Sequence, residues 1–374
     1  MWRVVFAGAL AGCNSLLGIH DLHDDAPTGD SIATIDGMAC FGSGGFLICL
    51  SALPSQPQTP SGAIDTDTSG DCFASYSTPP GNPWCVIAGT SVTVTDTVTA
   101  TGRRPLVLLA TGDVAIAGTV DASSHGAAMP TTGPAAQTTC AGGIGSSTAT
   151  ADMGGGGGAG GSFATSGGAG GDGDTSTHGN PIMTMATPAT LQGGCAGGAG
   201  AQGGPEMSGD PCEPTPSGAA GPGGGAVMLV AGGSLKIDGH VAANGAGGGP
   251  GVTSRGGGSG GGSGGLIVLW AGTSLAGAGT LVASGGGGGG GGNHCANGAP
   301  GGDPALDAIT PAPGGAGGAA PNNGGDGAAI TDPGGTGVTG GSKGGGGGGG
   351  GVGFVLVHAS TPFDGSVSGL QASF

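Results

Sequence analysis

The sequence predicts an all-β protein, a parallel β-solenoid of about five irregular rungs carrying long glycine-rich, polyproline-II-like excursions. Three observations predict it. Glycine supplies 99 of 374 residues, where an ordinary domain has about 7%. Five segments repeat one strand pattern. Between those segments lie tracts with almost no side chains, always at the same point of the pattern.

In chain order, MWRVVFAGALAGC places Arg3 before an apolar run that ends in Leu10-Ala11-Gly12-Cys13. That order reads as a secretory signal over residues 1–12. Its end resembles the lipobox of bacterial lipoproteins, a likeness that implies a lipid thioether on Cys13 and an outer-membrane location. Residues 13–30 follow as a polar tether. His20, His23, Asp24 and Asp25 lie in it, and they read as solvated residues because a metal site needs a rigid outer shell of supporting groups.

Residues 31–83 form a cysteine-bearing N-terminal cap, with a hairpin in ACFGSGGFLIC that turns over Gly42 to Gly45. From Trp84 to the end, residues 84–374, the repeat takes over. Its segments begin at Trp84, Leu106, Ala226, Leu266 and Phe354, and each reads as an apolar strand, a small turn, an alternating strand, a corner and a closing strand. Aligned, Val92 falls on Val114, Ile116 on Ile237, and Val120 on Val241 and Leu281. The last unit is short in its middle. A single rung of about six apolar side chains gains about 1.5–3 kcal/mol from each, less than the cost of ordering its roughly 20 residues. Rungs therefore need neighbours.

The insertions occupy residues 125–224, 246–264 and 285–351, each leaving after a closing strand and returning before the next first strand. First strands such as VMLV and LIVLW are apolar on both faces, which in a parallel sheet implies cover on both sides. Lys236, Asp238 and His240 alternate with Leu235, Ile237 and Val241, which implies a wet outer wall. The excursions are expected to fold back over the first-strand wall as extended chains that rise about 3.1 Å per residue and approach closely enough to bond one another.

With these residues in view, the chain resembles the glycine-rich surface lipoproteins of bacteria whose function is unknown. The likeness rests on the lipobox, the segment IDTDTSGDC, the rung TGRRPLVLLATGDVAIAGTVDASS and the GGAGG tracts. It is similar more loosely to the glycine-rich repeats of mycobacterial surface proteins and to the polyglycine layers of phage tail-tip adhesins. The resemblance implies no catalytic residues.

A net charge of -17, with only six basic residues, removes the cationic footprint that nucleic acid requires. Of nine cysteines, Cys13 is assigned to the lipid. The remaining eight, Cys40, Cys49, Cys72, Cys85, Cys140, Cys195, Cys212 and Cys295, read as disulfides in an exported chain, with 105 connectivities open. Asp65, Asp67, Ser69 and Asp71 fit the first half of a calcium loop, but Tyr76 stands where a bidentate glutamate is required. The run Gly167 to Asp174 partly matches a calcium nonapeptide, with Asp174 at its apolar position. The outward acids Asp96, Asp121, Asp238 and Asp364 do not form the facing pair of a glycan hydrolase. Matches to GxSxG at Gly42-Ser43-Gly44 and to GxGxxG follow from composition.

The expectation is a non-enzymatic, lipid-anchored surface protein with a structural, adhesive or matrix-contacting role toward a surface glycan or protein. The alternative is a carbohydrate-binding or carbohydrate-processing solenoid, whose mark would be an exposed groove lined by carboxylates and aromatics. Trp84 and Trp270 are expected to be covered.

Overall fold

Period-two burial sorts the repeat into two cores. In Leu106–Ala110 and Ala226–Ala231, every side chain is buried. Leu106, Leu108, Val227 and Leu229 join one cluster, whereas Val107, Leu109, Met228 and Val230 join another. Alternating strand geometry sends neighbours to opposite faces, so these strands lie between two apolar layers.

The computed structural model describes residues 33–35, 37–73, 76–77, 83–126, 131–137, 139–147, 152–205, 217–252, 254–318 and 321–374. The protein is all-β with three parallel sheets and one small antiparallel sheet. The first parallel sheet has six strands in the order Cys85–Gly89, Leu106–Ala110, Ala226–Ala231, Leu266–Ala271, Phe354–His358 and Leu370–Ser373. The second has four, Val92–Val94, Val114–Ile116, Leu235–Ile237 and Leu275–Ala276. The third has six, Gly62–Asp65, Thr97–Thr101, Thr119–Asp121, His240–Ala242, Thr280–Val282 and Ser366–Ser368. Each of the first four repeats visits the three sheets in turn. The aligned positions are paired as the sequence predicts: Val92 with Val114, Ile116 with Ile237, and Val120 with Val241, which pairs in turn with Leu281.

The inner core draws on all three sheets, for example Ile87, Val94, Val98, Leu108, Ile116 and Val120. At about 1.5–3 kcal/mol for each fully buried Val, Leu or Ile, this stacked interior is the main favourable contribution to the fold. The outer core lies on the far face of the first sheet, and here the expectation needs revision. That face is covered by Phe41, Phe46, Ile48 and Leu50 of the N-terminal hairpin together with Phe163, Leu191 and Cys195 of the first excursion. Among the described residues, only the first excursion contributes to this cover, and it does so with side chains; bare glycine has no apolar surface to offer such a wall.

The region 31–83 therefore has two roles. Met38–Phe41 pairs antiparallel with Ile48–Leu50, the Cys40–Cys49 disulfide joins them, and the connection contains a 3-10 turn at Gly44–Phe46. Separately, Gly62–Asp65 forms the edge strand of the third sheet beside Thr97–Thr101. The last repeat is also split: no strand follows in the second sheet, where the Thr361 hydroxyl bonds both the Leu275 N–H and its carbonyl. Leu370–Ser373 then returns to pair with Phe354–His358.

Lys236 and Asp238 are exposed and ion-paired at 2.7 Å, as a wet wall requires. His240 departs from that pattern. The chain bends at Asp238 and Gly239 into a different sheet, so His240 is half-buried with its Nδ1 2.6 Å from Thr280 Oγ1. Trp84 is buried, whereas Trp270 is partly exposed, edge-on to Phe41 and stacked on His358.

Candidate functional site

The eight glycines from Gly285 to Gly292 are buried and occupy the centre of a backbone lattice. Gly285, Gly288 and Gly291 donate to Ala328, Gly325 and Asn322; Gly286, Gly289 and Gly292 donate to Gly262, Ser259 and Gly256; Gly287 and Gly290 donate to Gly302 and Ala299. Every third residue addresses the same neighbour, which is the period of a polyproline-II chain. Their carbonyls accept in the same rhythm from Gly344, Gly347 and Gly350, from Gly248 and Gly251, and from Gly315 and Gly318. Six neighbouring segments thus surround one polyglycine run.

The second excursion shows how this lattice leaves the sheets. Its outgoing and returning legs bond through Gly265 to Ala243, Gly262 to Ala246, Ser259 to Gly249 and Gly256 to Val252. Glycine is obligatory because the neighbours stand where a side chain would be. A Cβ on Gly288 would lie 2.1 Å from the Gly347 carbonyl oxygen. The backbone entropy lost on ordering, about 1–2 kcal/mol per residue, is offset by buried hydrogen bonds rather than by apolar burial.

At the root of the excursions lies a charged clasp. Asp121 ends its strand in the third sheet, and His125 follows as the first excursion departs. His125 Nε2 is 3.3 Å from Asp121 Oδ2, and its Nδ1 is 3.7 Å from Asp303 Oδ2. The Asp303 carboxylate also accepts the Gly126 N–H at 3.1 Å and the Gly247 N–H at 2.8 Å. One carboxylate thereby ties together the first, second and third excursions. Hydrogen bonds to Asp121 and Asp303 push His125 up to about 10 against the effect of burial. Burial alone would raise both aspartates, but the bonds from His125 and from backbone N–H groups, with the imidazolium charge, hold both below the ordinary range. Two ionised carboxylates around an imidazolium form an electrostatic fastening; neither is held protonated at neutral pH as a general acid must be.

The other candidate residues are placed as follows. Asp65 accepts bonds from the Asp67 N–H and the Thr68 hydroxyl, Asp67 meets Arg103 at 3.2 Å, and Ser69 bonds Asp71. These calcium candidates are thus engaged by the protein's own donors, and among the described residues no three His, Cys, Asp or Glu side chains gather in a metal-holding group. In the nonapeptide-like run, Asp172 takes His178 at 2.6 Å while Gly168 and Gly171 belong to the lattice. Asp96 lies beside Thr95, Asp238 pairs with Lys236, and Asp364 is exposed; none joins the clasp. Disulfides link Cys40 to Cys49, Cys72 to Cys85 and Cys140 to Cys195, and Cys295 is disulfide-bonded as well. Cys13, Cys212 and the tether residues His20, His23, Asp24 and Asp25 lie outside the described residues.

Sequence reasoning found Asp121 only as a scattered outward acid and missed Asp303. No local motif marks them, because 303 meets 121 only after two other excursions have been laid down between them. Among the described residues no helix is long and apolar enough to cross a membrane. No protein-family model, curated protein or solved structure matches the chain.

Proposed function

We propose that this protein is a parallel β-solenoid carrying a polyglycine lattice, anchored by a lipid on Cys13 at the bacterial outer membrane, where it serves as a rigid structural or adhesive element. The observation that carries the reading is the cysteine chemistry: Cys40, Cys49, Cys72, Cys85, Cys140, Cys195 and Cys295 are all disulfide-bonded. Pairing of every cysteine among the described residues belongs to an oxidising compartment outside the cytoplasm. The rigidity of the lattice supports a mechanical role. Stiffness here comes from main-chain bonds, so the body resists deformation while presenting few charged or aromatic side chains.

Cell fractionation of a Cys13→Ser variant tests the anchor. The variant is expected in the soluble envelope or medium fraction with an unchanged melting profile. Retention in membranes at the wild-type level refutes lipidation at Cys13, and cysteines recovered as free thiols from the native envelope refute the compartment.

A further inference from the structure

Among the described residues, the lattice has a position that no chain fills. The segment 218–224 bonds the second excursion through Ala219 and Pro222, whose carbonyls accept from Gly249 and Ala246. Over the seam of these two bonded chains lies a groove of about 370 Å³, with Gly218, Ala219, Ala220 and Pro222 on one side and Gly247, Gly249 and Pro250 on the other. His125, Thr131 and Thr132 also line it. Both walls are therefore lattice chains, set side by side as the walls around Gly285 to Gly292 are.

The walls also carry unspent hydrogen-bonding groups. Among the described residues, the Ala220 N–H and carbonyl, the Gly247 carbonyl and the Thr132 hydroxyl have no partner, although Ala220 is only half-exposed and Gly247 is buried. Main-chain donors and acceptors of this kind are satisfied inside the lattice by another extended backbone. Two other outer chains of the lattice carry an exposed side chain at every third residue. Ala199 and Gln202 on one outer chain and Ala141 and Ile144 on the next are exposed in that rhythm.

We propose that this groove receives a short glycine- and proline-rich polyproline-II segment of another protein. Its backbone would continue the lattice, with glycine toward the walls and proline toward solvent. A wall of five residues at about 3.1 Å per residue accepts about two turns of such a chain. The lining fits other ligand classes poorly. It offers no aromatic platform for a sugar ring, and the nearest cation, His125, is already held between Asp121 and Asp303. Among the described residues the glycine tracts are engaged in the lattice, and the proposal commits to a different chain as the occupant. The inference rests on lattice geometry and is independent of where the protein is anchored.

The test is fluorescence anisotropy of the full chain with a labelled Gly-Gly-Pro repeat peptide and its all-D mirror image. The L-peptide forms a left-handed helix that matches the walls; the D-peptide forms the opposite hand. Saturable binding of the L-peptide is expected, with at least about tenfold weaker binding of the D-peptide. Ala219→Trp fills the groove from an exposed position and should weaken the L-peptide by a similar factor, with its melting profile confirming the fold. Slowed exchange of the Ala220 amide on peptide addition is the independent readout. Equal binding of both enantiomers, no saturable binding, or unaltered binding by Ala219→Trp overturns the proposal. So does a dimer whose Ala220 amide is protected without peptide, since a second copy would then be the occupant.

Discussion

A single side chain at the centre of the polyglycine run measures how much the lattice contributes. In Gly288→Val, the new Cβ would stand 2.1 Å from the Gly347 oxygen, 2.5 Å from its carbonyl carbon and 2.8 Å from the Gly348 oxygen. All three are backbone atoms, so no side chain can swing aside. Relief requires moving the 344–350 chain, which breaks Gly347 N–H to Gly289 at 2.8 Å and Gly325 N–H to Gly347 at 2.9 Å. Each of the two buried bonds lost costs about 1–3 kcal/mol, and the overpacking itself costs about 1–3 kcal/mol. The expected loss is about 3–9 kcal/mol, a large share of the usual 5–15 kcal/mol of a domain. Gly70→Val is the control, because a Cβ there meets nothing within 4 Å and Gly70 has no positive φ. The assay is urea unfolding by linear extrapolation, with amide exchange over residues 285–292. If Gly288→Val stays within about 0.5 kcal/mol of wild type, as ordinary surface changes do, or if those amides exchange like a free peptide, the tracts are loops and the lattice reasoning fails.

The clasp gives stability a pH signature with two edges. His125 is raised from 6.5 to about 10, so its contribution is full below pH 6.5 and disappears as pH rises through about 10. Asp121 and Asp303 are lowered from 3.8, so theirs is full above that value and is lost as pH falls through the depressed values. The stability difference between wild type and His125→Asn should therefore shrink from pH 6.5 toward 10; a difference constant over that interval rejects the ion pairing. Asp303→Ala, which removes the acceptor of both, should expose the Gly126 and Gly247 amides to exchange together, and protection unchanged at both would show that the carboxylate does not fasten them. The Cys140–Cys195 bond closes a separation of 55 residues, so replacing both by Ser should cost about 4 kcal/mol, read by thermal or denaturant melting. A loss under about 1 kcal/mol would mean the first excursion is held without it.

The sheet register was legible from the sequence because it depends on a local rule. Alternation of apolar residues fixes which side chains face inward, and repeats with matching alternation can stack in only one register. Val92, Val114, Ile116 and Ile237 follow that rule in the structure. The tracts were legible as close-approach backbone for a similar reason: a run without Cβ atoms can order only by bonding other main chains. His240 was misread because alternation does not reveal the bend at Asp238 and Gly239 that changes sheets. Tertiary structure alone decided the cover of the first sheet, since the hairpin residues Phe41 and Ile48 and the distant Phe163 carry no pattern naming their partner. It also decided the clasp and the groove. Glycine repeats are nearly degenerate in sequence, so which tract lies beside which is set by the corners where the rungs release them. Only once those legs are packed does Asp303 reach His125, and only then do Ala220 and Gly247 line one groove.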